Sequence, residues 1–375
     1  MMSLLGALGL LLVTVAWAAL SLIPAFRELL RPTDVAPLTM VGRDNADIAR
    51  FARHFREWVM AASPLAAGGG NGPEGAGEIR SGPVPGPGQV LYVPASSDPE
   101  PLRSLPPSSR DQVVVLQGPA ELEGGENFAQ ELWATAEFAG GRGATYRAIL
   151  GERSVSLGPR SLVLRWLHSV GVLTVGDGSH LYGRTSSERE IHLGRSIGFD
   201  RLGAPAIVVG SGTPASMPPM AEGLTKLELG DPHDSRLTKH DFLRRARRLG
   251  DHVHLDADTE VPAGFLIEGN LVVSGDLRLG AGSRVTGSVK THGTLELAQG
   301  VVIEGSLVAR ADLTVGSGAW VRGPIISEAA LHLAGGVTVG SPAAPTTVSG
   351  RTVTLSAGAV VCGHVVTEEG GQTDQ

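Results

Sequence analysis

Gly269, Gly287, Gly305 and Gly323 recur every 18 residues, each flanked by apolar residues at the same offsets. A ruler that regular describes a stack of equivalent turns rather than a pocket. The 18 residues divide into three hexads with apolar side chains at the first and third positions. One set reads Leu277 and Leu279, Leu295 and Leu297, Leu313 and Val315, Leu331 and Leu333. Two inward side chains separated by one outward make a very short strand, since alternate strand residues face opposite sides. The Gly, Ala, Ser and Asp residues that close most hexads suit a bend. Three strands and three bends form one triangular coil, so the expected fold class is all-β, a β-helix with 18-residue coils. No coil buries its apolar face alone; stability accumulates between neighbours, at roughly 1.5–3 kcal/mol per fully buried aliphatic side chain.

The frame begins at Val253 and Leu255, breaks after Gly340 where SPAAPTTVSG carries extra residues, and resumes at Val353 and Leu355. A fainter copy lies upstream. Val155 and Leu157, Leu173 and Val175, and Ile191 and Leu193 are 18 apart, as are Tyr146, Leu164 and Tyr182. The expected organisation is therefore an irregular β-helical block over 112–211, an insert over 212–251, a regular block over 252–367 and a polar tail over 368–375. The insert carries a predicted helix, with Thr238 as N-cap, Asp241 three residues on, Gly250 as stop, and Arg244, Arg245, Arg247 and Arg248 in its last turns.

Leu4 to Ile23 is 20 residues without a charge, followed by Pro24, Arg27 and Arg31. At about 1.5 Å per residue such a helix spans a bilayer core. Residues 1–30 are thus expected to be a transmembrane anchor, with the following arginines keeping the C-terminal bulk cytoplasmic. The alternative is a cleaved signal peptide, since Ala16-Trp17-Ala18 resembles a cleavage site although no Lys or Arg precedes the run. Within 31–63, Asp44 to Met60 reads as an amphipathic helix, with Ile48, Phe51, Phe55, Trp58 and Val59 along one side. That helix either lies on the membrane surface or packs on the β-helix, and packing is the expected arrangement. The Gly- and Pro-rich stretch over 64–111 reads as a linker.

Composition sets the remaining limits. Aromatics are 4% of 375 residues and Gly numbers 52, so the interior must be built from Val, Leu, Ile and Ala. The single cysteine, Cys362, excludes an intramolecular disulfide framework and fits a reducing compartment. A net charge of −7 argues against general nucleic-acid affinity. His292 and His332 sit at outward hexad positions without polar neighbours of the kind a hexad acyltransferase needs. The acidic and histidine residues Asp231, His233, Asp234, His240, Asp241, His252, His254, Asp256 and Asp258 form no compact ligand motif. No phosphate loop, dinucleotide fingerprint or nucleophile elbow occurs in the required context. No catalytic, cofactor or metal residues are expected.

The stretch IEGNLVVSGDLRLGAGSRVTGSVKTHGTLELAQGVVIEGSLVARADLTVGSGAWVRGP resembles the bactofilins, bacterial polymer-forming cytoskeletal proteins, over roughly 252–367. The positions carrying the resemblance are Gly269, Gly287, Gly305, Gly323 and Gly363 with the apolar pairs between them. It implies a right-handed β-helix, assembly into filaments without nucleotide or metal, membrane association, and a role in cell shape or in placing other proteins. A physical argument leads the same way, because an uncapped last coil leaves strand edges free to pair. Val360, Val361, Val365 and Val366 are the candidate end-to-end contact, since only the polar tail follows them. The expectation is a non-catalytic, self-assembling scaffold anchored in the bacterial inner membrane through residues 4–23, with itself and protein clients as partners. The alternative is a non-polymerising, membrane-anchored binding module that uses the first block; a β-helical enzyme ranks last.

Overall fold

The hexad pattern becomes a parallel β-helix in the computed structural model. It describes residues 47, 49–62, 80–83, 89–94, 111–227, 246–249 and 252–374, all within one unit, Asp47–Gln375. Leu4–Ile23 lies outside the described residues; among those described, no helix is long and apolar enough to cross a membrane. The chain forms a β-solenoid of about 13 turns. Within each stack, successive coils pair in parallel, one turn to the next: Leu277 with Leu295, Leu295 with Leu313, Leu313 with Leu331. The 18-residue spacing is thus the length of one coil. Inward Val, Leu and Ile side chains from every turn merge into a single core.

Several expectations need correction. The first stack opens inside the presumed linker, where Arg80–Pro83 pairs antiparallel with Gln89–Val93, and Gln89–Val93 then pairs in parallel with Val113–Leu116. The upstream column expected to run Tyr146, Leu164, Tyr182 instead runs Tyr146, Val163, Leu181. A register shift beside Tyr146 shortens that turn to 17 residues, which leaves Leu164 and Tyr182 exposed. The end of the insert is a strand rather than a helix. Ala246–Leu249 pairs antiparallel with His252–Leu255, and the two intervening residues are Gly250 and Asp251, a dipeptide of hairpin type. The rest of the predicted basic helix lies outside the described residues.

The described helix, α1 (Arg50–Ala62), packs on the first block. Ala52, Phe55 and Val59 join Val90, Tyr92, Val113, Val115, Trp133 and Leu150, outward residues of that block, in a second apolar cluster. This helix starts at Arg50, and Ala52, Phe55 and Val59 are the side chains it buries against the sheet.

The largest correction concerns the last coil. The polar tail is not free: Val360–Thr373 is one 14-residue strand that bends around the final turn. It pairs antiparallel with Gly198–Val209, the last strand of the first block. The two stacks therefore meet end to end, C-terminal coil against C-terminal coil. Inward columns run on through the contact, as Ile207 opposes Val361, Leu202 opposes Val365 and Phe199 opposes Gly371. The edge formed by Val360, Val361, Val365 and Val366 is consumed within the chain.

Candidate functional site

The junction is the most distinctive site of the molecule. Leu202 and Val365 are both buried in the common core. Outside the core, Ala206, Val208, Val360 and Cys362 form a small apolar cluster on one face. Burial pushes the Cys362 thiol pKa up, which keeps it protonated and unreactive. Thr373, in the presumed tail, accepts a hydrogen bond from Ile197 N and donates one to Gly194 O, both at 2.9 Å. Thr367 Oγ1 donates to Asp200 O at 2.9 Å. His364 faces Gly203 across the ladder; burial, and then the charge of Arg184, hold its pKa below the ordinary histidine value.

The predicted glycines form a corner rather than a binding surface. Gly287, Gly305 and Gly323 stack along one edge, where Gly305 N donates to Gly287 O at 3.1 Å and Gly323 N to Gly305 O at 2.9 Å. A Cβ at Gly305 would lie 2.5 Å from Gly287 C and Ser288 N, so the corner closes only without side chains. Gly269 heads this column at φ +92° and donates to Thr286 Oγ1 at 2.9 Å. Gly363 belongs elsewhere: at φ +124° it sits in the junction, opposite Ala204. Leu277, Leu279, Leu295, Leu297, Leu313, Val315, Leu331 and Leu333 all point into the core of the second block.

A different polar cluster locks α1. Arg56 makes a bidentate contact with Glu152, at 2.8 and 2.6 Å, and Trp133 Nε1 donates to the same carboxylate at 2.9 Å. One coil on, buried His168 shares a hydrogen bond with Ser186 Oγ at 2.9 Å through Nδ1, and its Nε2 lies 3.5 Å from Glu188. Burial lowers the His168 pKa, opposed by Glu188. The Ser186 and His168 side chains lie beneath the surface, which places them in packing rather than in an accessible nucleophilic arrangement.

The sequence reading missed a strap. Arg284, Val302, Trp320 and Thr338 occupy outward positions of consecutive coils, paired in register, and all are buried. Arg284 Nη1 donates to Pro218 O at 3.1 Å, and at the other end of the column Gly212 lies against Gly358 and Val360. Residues 212–218 thus run from the Val360 end of this column to the Arg284 guanidinium, which also pairs with Glu304. Thr225–Lys226 then pairs with Phe265–Leu266 on the first coil of the second block. A signal existed in the sequence, because Val302 and Trp320 are apolar where the equivalent outward residues of the neighbouring face are Arg278 and Glu296.

His254 contacts Asp256 at 3.0 Å, and His332 Nε2 shares a hydrogen bond with Ser356 Oγ at 2.9 Å. The pKa of His292 is lowered by partial burial and then by Arg310, Lys290 and His254. Among the described residues no group of three or more His, Cys, Asp or Glu is placed to hold a metal ion. No family model matches the chain, and neither a search of curated proteins nor one of solved structures finds a match.

Proposed function

We propose that this chain is a non-catalytic scaffold: a double β-helical rod, tethered to a membrane through Leu4–Ile23, that presents long side faces to other proteins. The observation that carries this reading is the antiparallel pairing of Gly198–Val209 with Val360–Thr373. It uses internally the edge that a growing polymer of the second block would offer, and it leaves the faces of the rod as the available surface. The resemblance to bactofilins supports a structural role for the second block and rests on its sequence pattern. In this reading the first block acts as a built-in stop on one end of the second.

End-to-end polymerisation is the second reading, favoured by one observation. Ala120–Glu121 and Thr259–Val261, near the two outer ends of the rod, each pair on one side alone among the described residues. Electron microscopy and sedimentation of the detergent-solubilised chain over a range of concentration and salt separate the two. Discrete particles of constant mass support the scaffold reading; filaments overturn it in favour of polymerisation.

A further inference from the structure

Exposed apolar side chains gather at one corner of the first block. Phe51 is 51% exposed, Trp58 37%, Leu164 46% and Tyr182 42%. Leu164 and Tyr182 hold the same corner in adjacent coils, because Val163 pairs with Leu181 before it and Trp166 with Arg184 after it. The Arg184 guanidinium lies over the Phe51 ring at 5.4 Å, and Phe55 packs on Trp166 at 5.6 Å and stacks with Trp58 at 6.2 Å. Phe51 and Trp58, two helical turns apart, share the flank of α1 that meets this corner. Arg50 and Arg165 are exposed beside it.

The 17-residue turn explains why Leu164 and Tyr182 face outward; there the Tyr182 ring packs on His180 at 4.5 Å, and both side chains remain exposed. Four such side chains around one convex edge make a contiguous patch rather than scattered exposure. A convex edge offers no groove for a peptide. Trp, Tyr, Phe and Leu bordered by arginine is the composition that settles at the headgroup level of a bilayer.

We infer that this corner rests on an anionic lipid surface, with the aromatic rings and Leu164 among the headgroups and Arg50 and Arg165 meeting lipid phosphates. The inference depends on the tether proposed above. Residues 24–46 connect the apolar run to Asp47, a reach of at most about 80 Å. A tether of that length keeps the corner at high local concentration near the bilayer, so a contact of only a few side chains is sufficient.

The full-length chain tests it in vesicles of phosphatidylcholine with phosphatidylglycerol. An environment-sensitive dye is attached at Leu164→Cys and, separately, at Arg278→Cys on the exposed face of the second block; Cys362 is buried and escapes labelling. The expected result is flotation that survives an alkaline wash, with a blue shift and rise in emission at 164 and none at 278. Adding Phe51→Ser with Trp58→Ser is expected to abolish the shift without affecting flotation, and circular dichroism confirms that the fold is kept. Flotation without a shift at 164 overturns the corner contact and leaves the tether standing. Equal shifts at both positions overturn the corner as a specific site. Absence of flotation overturns the tether and the contact together.

Discussion

Phe199 fills the space that Gly371 leaves empty. The two residues oppose each other across the junction between the stacks, and a Cβ at 371 would overlap the Phe199 ring. Gly371→Val is therefore expected to force the ring aside and to destabilise the protein by about 1–3 kcal/mol, the usual range for overpacking. Thermal unfolding measures the loss, and faster hydrogen exchange over 365–373 locates it. A variant as stable as the parent would show that the junction tolerates a side chain at 371.

Leu202 and Val365 sit at the centre of the same contact. Leu202→Lys places a charge between the two stacks where no partner can reach it, at a cost of several kcal/mol. The expected outcome is parting of the stacks while each keeps its coils. Small-angle scattering should record a larger radius of gyration, with little change in far-ultraviolet circular dichroism. An unaltered scattering profile would mean that the junction is held mainly by its backbone ladder.

Glu152 holds α1 through Arg56 and Trp133 together. Both partners are left unpaired by Glu152→Ala. Arg56 remains partly exposed and regains water, so the expected loss is about 1–3 kcal/mol, confined to the helix. Hydrogen exchange should show lost protection over 50–62 and little change in the second block. Uniform loss of protection along the rod would contradict a local lock.

The glycine corner separates two kinds of position. Gly305→Ala introduces a Cβ 2.5 Å from backbone atoms of the previous coil, whereas Gly300, at φ +67°, faces open space. Gly305→Ala should therefore cost several kcal/mol, and Gly300→Asn less than about 1 kcal/mol, because Asn tolerates a left-handed backbone. Urea unfolding of the two variants gives the comparison. Equal midpoints would refute the stacked-corner account.

Acid should weaken the protein near α1 and the junction. His168 and His364 have folded pKa values below 6.5, chiefly through burial. As pH falls through 6.5 the unfolded chain takes up these protons before the folded one does. Stability is thus greatest above the unfolded value and declines towards the folded values, with a slope of at most about 1.4 kcal/mol per pH unit for each group. His168→Gln retains a partner for Ser186 and should flatten the decline in urea midpoint between pH 7.5 and 5. A parallel decline in that variant would assign the effect to other groups.

The features legible in the sequence are those set within one coil. An inward Leu277 and Leu279 require an 18-residue return to Leu295 and Leu297, and the glycine ruler marks the corner that return must close. Other features depended on contacts between distant residues. Leu164 is as apolar as Val163, and only the shortened turn after Tyr146 decides which of them enters the core. Arg247 and Arg248 suit a helix terminus by composition, yet pairing with His252–Leu255 provides a full ladder that a short local helix cannot match. Val302 and Trp320 advertise a covered face without saying what covers it.

The sequence by itself determined the β-helix, because a period repeated over many coils leaves one way to bury each apolar pair. Only the tertiary structure decided how the stack ends. Edge strands carry unpaired N–H and C=O groups whatever their side chains, so Val360–Thr373 would pair as readily with another copy as with Gly198–Val209. The insert, returning from Gly212 beside Gly358 to Thr225 on the first coil of the second block, brings the first block to that edge.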